Sequence, residues 1–210
     1  MSDEARSIGE IVIVDDDPAM REMLSLIFSA EGYEVTCFAD GPSFLTAAQV
    51  RVPACILLDV YLPGRSGLDI LKDLNAEHYP APIFMISGRG DIPTAVDAIK
   101  HGALDFIEKP FSESSVVARV RGAIAMWRSR MNDQASDQVP LDFFGRKPLT
   151  RREGDVLAQL LTGASNKEVA RQLGISPRTI EIHRAHIMDK LGAKNAADLV
   201  RIVMSKRSRS

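Results

Sequence analysis

Four acidic residues and one lysine stand where short apolar runs end. Asp15, Asp16 and Asp17 close the run from Ile11, Asp59 closes the run from Ala54, and Lys109-Pro110 follows the run from Asp105. Parallel strands that share one edge would bring two or three of these carboxylates into one small space. Like charges so close repel, and a hard divalent cation relieves the repulsion. Mg2+ suits such a place, because it takes oxygen ligands, keeps several waters and bridges to phosphate. A carboxylate beside the ion can attack phosphorus while the ion and Lys109 offset the developing charge. An aspartate after a strand is also an ordinary helix N-cap, a role that fits Asp17 before Pro18 but not Asp59 or Lys109.

A second constellation lies near the other end. Ser176-Pro177 starts a helix, with an N-cap hydroxyl followed by proline at the first helical position. Gly174 stops the helix before it, which begins near Asn166-Lys167, and helix, tight turn, helix is a DNA-binding pattern. On the later helix Ile180, Ile187 and Leu191 recur at core spacing, flanked by His183 and Arg184. The opposite face carries Arg178, Glu181, Ile182, Ala185 and Asp189. Exposed Ile182 and Ala185 would suit thymine methyl groups in a major groove, and Glu181 a cytosine amino group. Asn166, Lys167, Arg178, Lys190 and Lys194 are placed for the DNA backbone, and Thr179 is a further DNA-binding candidate. A small helical bundle that docks to protein is the competing reading. His183 and His186 read as packed or rim residues, and no cysteine lies near them to support a zinc site.

These residues need elements to position them. The strands Ile11–Asp15, Glu34–Phe38, Ala54–Asp59, Ile83–Ser87 and Asp105–Ile107 alternate with helical stretches near 18–31, 41–50, 66–76 and 92–101. A last helix runs from about Ser112 to Trp127. Five βα units with continuous apolar strands predict a doubly wound parallel sheet, an α/β fold covered on both faces. Its ligand site forms at the carboxyl ends of the strands. Beyond it, helices near 151–161, 166–173, 177–191 and 195–204 predict an all-α unit of four helices. Thr150 with Glu153 gives the first of these a capping box. The predicted boundaries are 1–127, a polar linker over 128–146 that begins as a helical extension, and 147–210.

Composition agrees with two soluble units. The 210 residues are 45% hydrophobic and 26% charged, with a net charge of -2. That average hides 14 Lys or Arg against 6 Asp or Glu in residues 146–210, and 12 against 22 in the remainder. An acidic module joined to a basic one points to a nucleic-acid partner for the basic half. No apolar run approaches the roughly 20 residues of a membrane span, and the polar start has no secretory signal. Cys37 and Cys55 are expected to be buried thiols in a reducing cytoplasm.

Two resemblances follow from these residues. Ile11–Asp17, Leu57–Gly67, Ile86–Ser87 and Phe106–Phe111 resemble the receiver domain of bacterial two-component response regulators. The segments Asn166–Ala170 and Ile175–Arg184 resemble the LuxR-type helix-turn-helix of the FixJ/NarL group. The first resemblance implies that Asp59 takes a phosphoryl group from a sensor histidine kinase. Asp15, Asp16, Asp59 and the Tyr61 carbonyl would hold Mg2+. Ser87, Phe106 and Lys109 would sense the phosphoryl group, with Lys109-Pro110 cis, and Tyr61 and Arg89 would tune its lifetime. The second implies base reading by Glu181, Ile182 and Ala185, and dimerisation through the last helix. Together they imply a transcription factor that dimerises on phosphorylation, binds promoter DNA and works with RNA polymerase, and that is not a dedicated enzyme. Three competing functions remain in view. One is a regulator active without phosphorylation, and one is a receiver acting through protein contacts. The third is a dehalogenase-type phosphatase with Asp15 as nucleophile, which Pro18 and the lack of room for a cap domain disfavour.

Overall fold

The computed structural model describes residues 8–88, 92–132 and 149–207 and divides into two compact units between Ser129 and Arg130. The first unit holds β1 (Glu10–Val14), α1 (Pro18–Ala30), β2 (Glu34–Phe38), α2 (Gly41–Ala48), β3 (Cys55–Asp59) and α3 (Gly67–Asp73). It continues with β4 (Ile83–Ser87), α4 (Ile92–Lys100), β5 (Asp105–Glu108) and all but the last three residues of α5 (Glu113–Asn132). All five strands are parallel, in the order β2-β1-β3-β4-β5. The chain leaves β1 toward β2 and comes back to place β3 on the other side. That reversal opens a crevice at the carboxyl ends of β1 and β3.

Strand chemistry follows position in the sheet. β3 and β4 are buried at every residue and β1 at all but its first, because helices cover both faces. The edge strand β2 is only half-covered, and this overturns the expectation of two buried thiols. Cys55 on β3 is fully buried, whereas Cys37 on β2 is exposed. Both lie in apolar runs, but only the strand order tells which run is at the rim.

The helices start where local chemistry provides an acceptor for their first free N–H groups. Asp17 accepts from the Ala19 amide at 2.9 Å, with Pro18 next, and Asp40 accepts from the Ser43 amide at 2.8 Å. Ser66 and Asp69 form a reciprocal capping box on α3. Leu24 and Phe28 of α1 are fully buried, and Phe28 meets Tyr33 edge to face at 6.2 Å. α5 runs five residues past the predicted Trp127, and the Trp127 indole donates to the Pro80 carbonyl at 2.8 Å.

The second unit contains α6 (Arg151–Leu161), α7 (Asn166–Leu173), α8 (Pro177–Leu191) and α9 (Ala196–Arg207). Thr150, Ser165 and Ser176 cap α6, α7 and α8. Gly174 ends α7 in the left-handed conformation, φ 63°, which a residue without Cβ adopts at no steric cost. α8 packs against α6, α7 and α9, so it is buried on a broad arc. Glu153, nearly fully buried, closes the α6 capping box with the Thr150 amide at 2.7 Å and accepts from Lys190 Nζ at 2.7 Å. That ion pair ties the start of α6 to the end of α8.

His183 sits inside this packing, 4% exposed, and its Nε2 has no hydrogen-bond partner among the described residues. Burial first, then the positive charges of Arg152, His186 and Lys190, pull its pKa from 6.5 to about 3. Between these values the unfolded chain binds a proton that the folded chain refuses, so stability is lost as pH falls below 6.5. Chemical unfolding of the full chain, followed by circular dichroism, should show the second unit weakening in that window. The slope approaches about 1.4 kcal/mol per pH unit, and His183→Leu should flatten that part of the profile.

Candidate functional site

The crevice at the strand ends is built from loops that three strands deliver. Asp15 follows β1, Asp59 ends β3, and Lys109 follows β5. The Lys109 ammonium lies between the two carboxylates, 2.8 Å from Asp15 Oδ2 and 2.7 Å from Asp59 Oδ1. Each carboxylate spends its other oxygen on a backbone amide. Asp17 N–H donates to Asp15 Oδ1 at 2.9 Å, and Tyr61 N–H to Asp59 Oδ2 at 2.6 Å. Asp15 and Asp59 are almost completely buried, while Asp16 is exposed beside them. The Lys109–Pro110 peptide bond is cis.

Charge is not balanced here. Two buried carboxylates face one ammonium, and Asp16 adds a further negative charge at the rim. Burial raises the Asp59 pKa above the ordinary carboxylate value; Lys109, by bond and by charge, opposes the rise, and the Asp15 charge adds to it. Burial alone would lower the Lys109 pKa, but its bonds to Asp15 and Asp59 and their charges outweigh that and raise it. Among the described residues no three acidic, His or Cys side chains form a ready cage for a metal ion. The oxygen-only donors and the surplus negative charge nevertheless fit a hard cation that keeps most of its water.

Arg21 beside this pocket and the Asp105–Arg119 pair beside Phe106 escape sequence reasoning, whereas Ser87 and Phe106 are positions the sequence already marks. Arg21, half-buried on α1, reaches back to donate to the Asp15 carbonyl at 2.7 Å and holds the β1–α1 turn. Its spacing from Asp15 is one of many a helix could use, so no pattern marks it. Gly67 begins α3 against Asp59: a Cβ there would stand 2.2 Å from the Asp59 carbonyl oxygen and 2.8 Å from Met85 Cε. Ser87 is fully buried at the end of β4, and Phe106 is half-buried on β5. The carboxylate of Asp105, itself fully buried, accepts from the Phe106 amide, and Arg119 of α5 bonds both Asp105 and the Phe106 carbonyl. Arg89, the other position expected to tune phosphoryl lifetime, lies outside the described residues.

In the second unit the surface differs from expectation at three places. Ile182 is buried, 9% exposed, rather than facing outward. It lies one turn beyond Thr179, at the rim of the broad arc that α8 buries by packing on both α6 and α7. Thr179 is 1% exposed and pairs its hydroxyl with that of Ser176 at 2.8 Å, so it belongs to the cap and not to a DNA-facing surface. Lys190 is spent on buried Glu153. Arg178, Glu181, Ala185 and Asp189 remain exposed on one face of α8, and Lys167 and Lys194 are exposed as well. Asn166, the first residue of α7, accepts from Arg184 Nη1 at 3.1 Å. His186 is half-buried.

Comparison with known families agrees with both halves. Residues 11–121 match the response regulator receiver domain, and residues 147–203 match the bacterial regulatory proteins of the luxR family. The chain belongs to the two-component response regulators that carry a receiver domain and a LuxR-type DNA-binding domain, and it is a FixJ-like regulator of transcription. It is 41% identical to the transcriptional regulatory protein FixJ of Bradyrhizobium diazoefficiens, over 93% of this chain and 95% of that protein. It is 37% identical to nodulation protein W of the same species, over 95% and 87% of the two. The full-length FixJ structure from B. japonicum superposes with a TM-score of 0.56 at 40% identity, covering 94% of this chain and 97% of that one. The response regulator StyR gives 0.52 at 34% identity, covering 93% and 98%. No described helix is long and apolar enough to cross a membrane.

Two substitutions test the pocket. In Mg2+-free buffer without a phosphoryl donor, Asp59→Asn should raise the melting midpoint of the receiver at neutral pH. The ionised carboxylate costs stability above its raised pKa and nothing below its unfolded pKa, so the gain should fade as pH falls into the ordinary carboxylate range. Gly67→Ala should cost about 1–3 kcal/mol, because its Cβ overlaps backbone that cannot yield cheaply. Thermal melting checks both.

Proposed function

We propose that Asp59 accepts a phosphoryl group from a sensor histidine kinase and that this event turns on promoter binding. The observation that carries the reading is Lys109 bridging Asp15 and Asp59 at the carboxyl edge of a parallel sheet. A carboxylate oxygen of Asp59 attacks phosphorus as the bond to the kinase histidine nitrogen breaks, leaving an acyl phosphate on Asp59. Lys109 stays charged, and its ammonium moves from pairing two carboxylates to neutralising phosphoryl oxygen. Tyr61 N–H and Asp17 N–H hold the Asp59 and Asp15 carboxylates in the orientation the reaction needs. Mg2+, held by Asp15, Asp16, Asp59 and the Tyr61 carbonyl, would supply positive charge to the phosphoryl oxygens.

The output follows from what the phosphoryl group demands. It brings about two negative charges and new acceptor oxygens. The Ser87 hydroxyl, at the end of β4, donates to one of them, and Phe106 on the adjacent strand moves with it. The face of α4, β5 and α5 then changes, and two receivers pair through it. Paired LuxR-type units bind two half-sites about one helical turn apart, using effective concentration rather than new contacts. Arg178, Glu181 and Ala185 of α8 read or flank bases, and Asn166, Lys167 and Lys194 hold the backbone. The receiver spans 1–127, the linker 128–146 and the DNA-binding unit 147–210. The dimer acts in the cytoplasm beside RNA polymerase, and the chain is a switch, not a dedicated enzyme.

Sedimentation velocity of the full chain in Mg2+, before and after beryllofluoride or acetyl phosphate, tests the switch. A monomer should become a dimer only with the donor, and Asp59→Asn should stay monomeric. A wild type that stays monomeric, yet binds promoter DNA as tightly without donor as with it, would instead identify a regulator independent of phosphorylation.

A further inference from the structure

Arg184 has no role in the reading above, and it is half-buried on the side of α8 away from the exposed face of Arg178, Glu181 and Ala185. Its guanidinium reaches the start of α7 and donates to Asn166 Oδ1 at 3.1 Å. A guanidinium has donors only, and a primary amide has one acceptor oxygen and two N–H donors. Only the amide oxygen can therefore face Arg184, which leaves Nδ2 with its two hydrogens turned the other way. Left to rotate, the same amide could present its oxygen outward, where it would repel a phosphate.

Ser165 and Glu168 satisfy each other: the Ser165 hydroxyl accepts from the Glu168 amide at 3.3 Å, and the Glu168 carboxylate accepts from the Ser165 amide at 2.8 Å and hydroxyl at 2.7 Å. The Glu168 negative charge is thus held in the cap. Lys167 beside Asn166 is exposed.

We infer that Arg184 is a positioning residue for DNA binding: by occupying the Asn166 oxygen it fixes the Asn166 amide as a donor toward a backbone phosphate, without touching the DNA itself. The inference rests on the DNA-binding reading of this unit. It also gives the Arg184–Asn166 bond a second consequence, since it joins α7, which meets the backbone, to α8, which meets the bases, at one spacing.

The test is fluorescence anisotropy of the full chain with a labelled duplex DNA of random sequence, titrated across a range of KCl concentrations. Arg184→Met and Asn166→Ala should each weaken binding by about tenfold, and the double variant should be no weaker than either single one. The slope of log affinity against log salt should not change, because a neutral amide releases no counterion. If Arg184 contacted a phosphate itself, Arg184→Met would lower that slope by about 0.9, its loss would add to that of Asn166→Ala, and the inference would fall. It would fall equally if Arg184→Met, which has no donor for Asn166, bound like the wild type. Asn166→Asp guards against a folding artefact. It keeps the acceptor for Arg184 but has no donor, so it should melt like the wild type and still lose DNA affinity; wild-type affinity in this variant overturns the inference. A wild type with no salt-dependent DNA binding would instead overturn the DNA-binding reading.

Discussion

An ammonium between two buried carboxylates is the contact around which the receiver is organised. Lys109 is 94 residues from Asp15 and 50 from Asp59, yet Nζ lies within hydrogen-bond reach of both. Only a parallel sheet with its chain reversal between β1 and β3 delivers these residues to one edge. Lys109 offsets the cost of burying a charged Asp59 but does not cancel it, because a second carboxylate shares the same ammonium. The pocket is left with more negative than positive charge, an excess that suits a small hard cation. The Asp59 carboxylate is costly to ionise in place, and the same circumstance makes its chemistry answer sharply to the charges brought near it.

The supporting contacts are mostly to backbone. Asp17 and Tyr61 amides orient the two carboxylates, Arg21 holds the Asp15 carbonyl, and the missing side chain of Gly67 lets α3 close over Asp59. Together these backbone contacts form a frame around the two carboxylates. Ser87 and Phe106 lie on adjacent strands that pair in register, Ser87 with Glu108 and Met85 with Phe106.

The DNA-binding unit uses a different economy. Its helices are short, and an isolated helix of such length is marginal in water. Packing around Val156, Leu157, Val169, Ile180, Ile187 and Leu191 holds it together, aided by three Ser or Thr caps, left-handed glycines after α7 and α8, and the Glu153–Lys190 pair. Its basic residues thereby fall into two groups with different work. Lys190 and Arg184 face inward to partners on other helices, while Arg178, Lys167 and Lys194 stay at the surface. A count of positive charge predicts the presence of a nucleic-acid face but cannot divide the charges between these tasks.

Much was legible beforehand because it is local. Caps such as Asp17-Pro18, Ser176-Pro177 and Thr150 with Glu153 are satisfied within three residues, so the chain's covalent neighbours decide them. Continuous apolar runs identified the five strands, and acidic residues at their ends identified the pocket, with Asp15, Asp59 and Lys109 meeting there. Tertiary structure alone decided what depends on which elements become neighbours. Cys37 and Cys55 lie in similar runs, and only the strand order exposes the first and buries the second. Ile182, Thr179 and Lys190 all looked suited to a DNA-facing surface on a helix viewed alone. Packing of α8 on two other helices widens its buried arc past Ile182 and Thr179, and buried Glu153 claims Lys190. Periodicity reports where one helix turns its apolar side, whereas the width of the buried face and the partner of each charge are properties of the neighbours the fold supplies.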